Sequence, residues 1–153
     1  MNVEYINPFI EATLNVLKTM SRTEAMPGKP YLKKDQKALG DVSAVIGLTG
    51  EANGTISISF PEQSIAAVVS RMFGEPVSGL EGELADAVGE ISNMISGQAR
   101  QQLEKTGKLL HGAIPSVIVG KNHQISHFTT YPVIAVPFET PEGGFTIEVC
   151  IEE

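Results

Sequence analysis

One short stretch of the chain, DAVGEISNMISG at residues 86–97, carries polar side chains at a spacing that could form a binding or reactive site. Its polar positions and its second glycine lie three or four residues apart, at Asp86, Glu90, Asn93 and Gly97. Residues at these spacings are neighbours on one face of an α-helix. We therefore predict that the four residues share one helix face and that this face sees solvent.

The composition of this face is unusual for a helix surface that meets only water. Asp86 and Glu90 are alike in charge and four residues apart, which is mildly repulsive. In a helix interior, Asn93 and Gly97 cost roughly 0.6 and about 1 kcal/mol relative to alanine. The pattern alone leaves two interpretations open, a merely solvated face and a surface kept for a partner, which Gly97 would allow to approach closely.

Glu90 and Asn93 are the members of this face that could do chemistry. A carboxamide is a poor base and a poor nucleophile, but it donates and accepts hydrogen bonds at once and can hold a water molecule in a fixed direction. A carboxylate beside it could act as a base or pair with a partner's lysine. Because we expect no Lys, Arg or His on this face, the positive charge that phosphoryl transfer needs would have to come from elsewhere.

The rest of the chain predicts the elements that position this face. A long helix of about residues 80–106 would pack on a sheet through an apolar stripe, at Leu84, Val88, Ile91 and Ile95. Asn7-Pro8 predicts the start of a first helix at about 8–20. A hairpin is predicted at about 42–60, with Asn53-Gly54 in a turn of positive φ. Pro61 and Gly74 would begin and end a further helix.

Strand-like runs fill the C-terminal part of the sequence, within residues 108–120, 124–140 and 145–153. The order α-ββ-α-α-βββ, with connections of hairpin length, predicts an α+β fold in which a largely antiparallel sheet packs against helices. A chain of 153 residues fits one domain, and we expect residues 1–153 to form it.

Composition narrows the classes of function. The net charge of -7, without a stripe of Lys or Arg, disfavours nucleic-acid binding. No apolar run approaches the length of about 20 residues that a membrane span needs, so we expect a cytoplasmic protein without a membrane partner. His123 and His127 are four apart in a strand-and-loop region with no third ligand, so no metal site is expected. Cys150, the single cysteine, is expected to be a small apolar residue in a strand.

The pattern Asp86-x3-Glu90-x2-Asn93 resembles the D/S-x3-E-x2-N signature of the CheC/CheX/FliY phosphatases of bacterial chemotaxis, which dephosphorylate the response regulator CheY. Four further segments resemble the CheX branch of that family in content and order: NPFIEATLNVL, AVIGLTGEANGTISISF, AAVVSRMFG and IPSVIVGKN. The resemblance implies a CheC/CheX-like fold. The first helix lacks a second signature, and one site per chain is the CheX pattern.

The resemblance also implies a mechanism and partners. A phosphorylated CheY-type receiver domain would supply the aspartyl phosphate, a bound Mg²⁺ and a lysine, so the protein would need no cofactor of its own. Glu90 would pair with that lysine and Asn93 would align the attacking water. Asp86 would help to dock the helix on the partner or fix its neighbours, and Gly97 would let the partner come close. CheX-like proteins are expected to be homodimers. The alternative is a non-catalytic module that binds response regulators or acts as flagellar-switch relatives do.

Overall fold

The computed structural model describes residues 3–79, 82–127 and 131–153 of the chain. The helices in these residues are α1 (Val3–Ser21), α2 (Glu62–Phe73) and α3 (Glu83–Lys105). The short outer strands are β1 (Met26–Pro27), β2 (Tyr31–Lys33), β5 (Leu110–Gly112) and β6 (Ser116–Val119). The long strands are β3 (Val42–Gly50), β4 (Asn53–Phe60), β7 (Val133–Thr140) and β8 (Gly143–Glu152).

All eight strands of the described residues join one antiparallel sheet. The order is β1-β7-β8-β4-β3-β5, with β2 also paired to β7 and β6 also paired to β3. One face of the sheet is apolar, and its side chains form a continuous core with the buried faces of the helices. The predicted α+β architecture, a largely antiparallel sheet packed against helices, is confirmed.

The first helix begins earlier than predicted. It starts at Val3, and Pro8 lies inside it rather than at its first turn. The proline removes one backbone hydrogen bond that a helix would otherwise make. Burial of Tyr5 and Ile6 on the N-terminal side of Pro8 extends the apolar stripe of α1, and this packing offsets the lost bond.

The predicted hairpin at 42–60 is confirmed, but the reason for its glycine differs. Gly50 has the positive φ, 125°, while Asn53 and Gly54 already belong to β4. A Cβ built on Gly54 would lie 2.0 Å from the backbone oxygen of Cys150 on β8. Gly54 is therefore required by the close approach of two strands and not by the turn.

The helix after the hairpin follows its predicted signals, with Pro61 before α2 and Gly74 at φ 73° ending it. The long helix is confirmed as α3, Glu83–Lys105. Its predicted first residues, 80 and 81, lie outside the described residues, as do residues 128–130 of the predicted strand region 124–140. Cys150 is buried within β8, as expected. No helix in the described part of the chain has the length and apolar character that crossing a membrane requires.

The second face of the sheet is polar and buried, which the sequence did not predict. Alternate residues of β4 are hydroxyl-bearing and fully buried on this face, at Thr55, Ser57 and Ser59. Glu148 of β8 is only 1% exposed and faces two basic groups. Its Oε2 lies 3.6 Å from Nζ of Lys33, and its Oε1 lies 3.1 Å from Nε2 of His127. This charged cluster, to which the edge strand β2 contributes Lys33, is thus enclosed between the sheet and the segment that carries His127.

Candidate functional site

The helix α3 presents the predicted polar face to solvent. Its opposite stripe is buried to 1% exposure or less, at Leu84, Val88, Ile91 and Ile95. Asp86, Glu90 and Asn93 are exposed and Gly97 is partly exposed. The prediction that these four residues share one solvent-facing side of a helix is confirmed. Their functional roles stay predictions at this point.

The helix α1 holds α3 in place from one side. The two helices run antiparallel, and their apolar residues share one core. At the rim of this contact, Asn15 Nδ2 donates to Gln98 Oε1 at 2.8 Å and Gln102 Nε2 donates to Glu11 Oε2 at 2.8 Å. These exposed bonds add little energy, but with the buried stripe they fix the rotation of α3 and hence the direction of its polar face.

The strand β6 borders the polar face from the other side. A Cβ built on Gly89 would lie 3.2 Å from Cγ2 of Val117, so the helix and the strand approach closely at this point. A shallow groove of ≈ 370 Å³ runs along the contact. Residues of α3 form one wall, and the turn from β5 to β6 forms the other together with the start of β6: Ala85, Asp86, Gly89, Glu90 and Asn93 face Ile114, Pro115 and Val117.

The apolar wall was not recognised from the sequence. Ile114 is 90% exposed, the highest value among the exposed large apolar residues of the described chain. In the sequence it belongs to the run HGAIPSVIVG, whose apolar content is typical of a β-strand. Only the neighbouring Pro115 signalled that the strand is interrupted there.

Glu90 and Asn93 are available for a partner. Neither side chain makes a hydrogen bond or ion pair with another residue of the described ranges. A carboxylate can accept hydrogen bonds from a cationic group. A carboxamide one turn away can both donate a hydrogen bond to a water molecule and accept one from it. The pair can therefore bind and orient, but it brings no positive charge.

The expectation that this face carries no cation was wrong. Arg100 lies fourteen residues after Asp86, which places it about 40° from Asp86 around the helix axis. Its Nε donates to Ser96 Oγ at 3.1 Å, and its guanidinium covers Gly112, where a built Cβ would lie 2.8 Å from Nε. The side chain is directed toward β5, so it serves the packing of α3 on the sheet rather than the groove.

Asp86 has a structural environment that its motif position alone did not suggest. It lies in the first turn of α3, where Gly82 is the N-cap and supplies no side-chain hydrogen bond. A carboxylate there interacts favourably with the positive end of the helix dipole. Asp86 also lines the groove, so it both stabilises the start of α3 and adds negative charge beside Glu90.

Gly97 has no steric role within the described residues. A Cβ built there would meet only Nη2 of Arg100, at 4.0 Å, which is an ordinary van der Waals distance. Alanine would fit and would favour the helix. This lack of close contacts is expected if the glycine leaves space for a binding partner.

The histidines have structural surroundings. His123 contacts Gly120 O through Nδ1 at 2.6 Å and Ser43 Oγ through Nε2 at 2.7 Å. His127 contacts Thr55 Oγ1 through Nδ1 and Glu148 through Nε2. Across residues 3–79, 82–127 and 131–153, no three His, Cys, Asp or Glu side chains lie close enough to share a metal ion.

Comparison with known protein families agrees with this α+β fold. The family model described as chemotaxis phosphatase CheX matches residues 42–139, which include the whole groove. The chain belongs to the CheX family.

Relatives of known name and structure agree with this assignment. The CheY-P phosphatase CheX of Thermotoga maritima is 30% identical over 129 residues, covering 84% of this chain and 83% of the relative. The crystal structure of the chemotaxis protein CheX from Desulfovibrio desulfuricans has a TM-score of 0.90 at 52% identity, covering 97% of this chain and 99% of that chain. The CheX–CheY–BeF3–Mg²⁺ complex from Borrelia burgdorferi has a TM-score of 0.82 at 29% identity, covering 97% and 98%.

Proposed function

We propose that this protein is a phosphatase that removes the aspartyl phosphate of a CheY-type receiver domain. The observation that carries the proposal is the pair Glu90 and Asn93, exposed side by side on α3 and lining an open groove in a chain of the CheX family. The Thermotoga maritima relative is named for CheY-P phosphatase activity. The Borrelia burgdorferi relative forms a complex with CheY, BeF3 and Mg²⁺.

In the proposed reaction, water attacks the phosphorus atom of the acyl phosphate and the bond from phosphorus to the aspartyl oxygen breaks. The products are the free aspartate carboxylate of the receiver and inorganic phosphate. Asn93 holds the attacking water in line, because its carboxamide can donate to and accept from the same molecule. Alignment of this kind reduces the barrier without requiring a strong base.

Glu90 binds rather than attacks in this scheme. Its carboxylate pairs with a lysine of the receiver, so that the helix is held with Asn93 above the phosphoryl group. Mg²⁺ and the lysine arrive with the receiver and neutralise the developing charge. The protein then needs no metal of its own. This fits a groove lined by Asp86 and Glu90, with the guanidinium of Arg100 packed on Gly112 of β5.

Asp86 and Gly97 complete the proposed binding surface. Asp86 adds negative charge at one end of the groove, where it attracts the basic surroundings of a receiver's active site. Gly97 leaves space one turn beyond Asn93 for the partner's backbone. We also propose that two copies form a homodimer through their sheets and act in the cytoplasm. Light scattering of the purified protein would test the dimer.

The proposed activity is tested by adding the purified protein to a phosphorylated CheY-type receiver with Mg²⁺ and measuring release of inorganic phosphate. The receiver alone gives its own rate of decay. We expect the protein to accelerate release and to turn over many receivers per molecule. If the rate equals that of the receiver alone while a complex still forms, the protein is a response-regulator-binding or flagellar-switch-like module instead.

A further inference from the structure

The turn between β5 and β6 presents an unusually exposed apolar side chain beside the proposed reactive pair. Ile114 is 90% exposed, and a single exposed isoleucine would by itself need no explanation. Its position is what distinguishes it. Together with Pro115 and Val117 it forms the wall of the groove that faces Glu90 and Asn93.

This apolar wall is held rigidly. Both flanking strands pair with β3, with Leu48 opposite Gly112 and Val45 opposite Ser116. Between them, the backbone N–H of Ala113 donates to the carbonyl of Gly47 at 2.9 Å. The backbone on both sides of Ile114 is thus anchored to β3, and little backbone conformational entropy is lost when a partner covers the side chain.

The two walls of the groove offer complementary kinds of contact. The α3 wall carries negative charge and a carboxamide, while the opposite wall is apolar. Protein interfaces commonly combine an apolar anchor, which supplies affinity, with polar groups at defined positions, which supply orientation. A small-molecule phosphate ester, itself an anion, would be repelled by the first wall and would leave the second exposed to water.

We propose that Ile114, with Pro115 and Val117, is a docking wall for the receiver domain itself, and that it contacts an apolar side chain beside the receiver's lysine and phosphorylated aspartate. The inference rests on the proposed function for the identity of the partner. It gives the two walls of the groove different roles. The α3 wall positions the water and the lysine. Ile114 supplies affinity and selects a whole protein over a small phosphate ester.

The test compares Ile114→Ser with Val3→Ser. Val3 is 62% exposed and lies at the start of α1, near the end of α3 that is remote from the groove. Binding is measured by fluorescence anisotropy with a labelled CheY-type receiver held in its phosphorylated-like state by BeF3 and Mg²⁺. We expect Ile114→Ser to weaken binding roughly tenfold or more, because a buried isoleucine contributes on that scale. Val3→Ser should bind within about twofold of wild type, since it leaves the interface intact.

Steady-state kinetics and a thermal melt complete the design. Ile114→Ser should raise KM for the phosphorylated receiver, leave kcat close to wild type, and melt at the wild-type temperature because the side chain is exposed. An unchanged Kd for Ile114→Ser, or an equal loss for Val3→Ser, would overturn the docking inference.

The inference and the proposed function can fail separately. If the wild type binds the receiver through Ile114 but releases no phosphate, the docking wall stands and the catalytic proposal falls. If phosphate release depends on Asn93 while Ile114→Ser has the wild-type Kd and KM, the catalytic proposal stands and the docking wall falls. Absence of any binding by the wild type overturns both.

Discussion

Gly89 of α3 lies directly against Val117 of β6: a Cβ built on the glycine would lie 3.2 Å from Cγ2 of the valine. This close contact sets the width of the groove. It brings Glu90 and Asn93 on the helix to the same opening as Ile114 on the turn. The polar pair and the apolar wall are therefore positioned by one helix–strand contact. Substitutions near this contact should change the stability of the free protein and its binding or activity independently.

The first prediction concerns Gly97→Ala. A built Cβ at Gly97 has no contact closer than 4.0 Å, so alanine should stabilise the free protein by about 1 kcal/mol through helix propensity. Urea unfolding followed by circular dichroism measures this. Gly89→Ala is the matched control: it gains the same propensity but presses on Val117, so its net gain should be smaller. Equal gains in stability at both positions would show that Val117 moves aside at little energetic cost.

The same Gly97→Ala variant tests the proposed partner surface. If a receiver's backbone approaches at Gly97, the added methyl group should weaken binding of the BeF3-charged receiver although the free protein is more stable. Loss of affinity with gain of stability is a combination that a general folding defect cannot produce. An affinity equal to that of wild type would remove Gly97 from the binding surface.

A further prediction concerns Glu90→Ala. Removing a carboxylate that pairs with a receiver lysine should raise KM roughly tenfold, the scale of a hydrogen bond to a charged group. It should also flatten the dependence of KM on salt concentration, because screening acts on the ion pair. Glu104→Ala is the matched control: Glu104 is exposed on α3, about 21 Å further along the axis. A steep salt dependence that survives in Glu90→Ala would contradict the pairing.

The buried charged cluster on the other face of the sheet gives a prediction for stability. Lys33→Met would leave Glu148, which is 1% exposed, without its ammonium partner, and should cost about 3 kcal/mol or more. The double variant Lys33→Met/Glu148→Gln removes both charges and should recover much of that loss. Urea unfolding of the wild type, of Lys33→Met, of Glu148→Gln and of the double variant gives the coupling free energy between the two side chains. A loss below about 1 kcal/mol for Lys33→Met would indicate that the contact with His127 is sufficient to compensate the buried Glu148.

The sequence predicted α3 and its polar face well because both follow from a strong local pattern. An apolar stripe that includes Ile91 and Ile95 fixes the buried side, and the exposed side follows from helix geometry. The hairpin and α2 were predicted for the same reason. Their signals, such as Gly74 at the end of α2, lie within a few residues of the feature that they specify.

The features that were missed depend on contacts distant in sequence. Gly54 was taken for a turn residue, whereas it is required by the backbone of Cys150 nearly a hundred residues later. The exposure of Ile114 depends on where β5 and β6 pair with β3, which its own neighbours do not reveal. Arg100 was overlooked although its spacing of fourteen residues from Asp86 places it on this helix face, and only the fold shows that its side chain covers Gly112.

Asn93→Ala tests the central claim most directly, with phosphate release and receiver binding measured on the same preparation. The variant should bind the BeF3-charged receiver within about threefold of wild type and lose roughly 100-fold or more in kcat, because the water is no longer aligned. Gln101→Ala, which removes an exposed carboxamide elsewhere on α3, should leave both quantities unchanged. A kcat for Asn93→Ala equal to that of wild type would contradict the account.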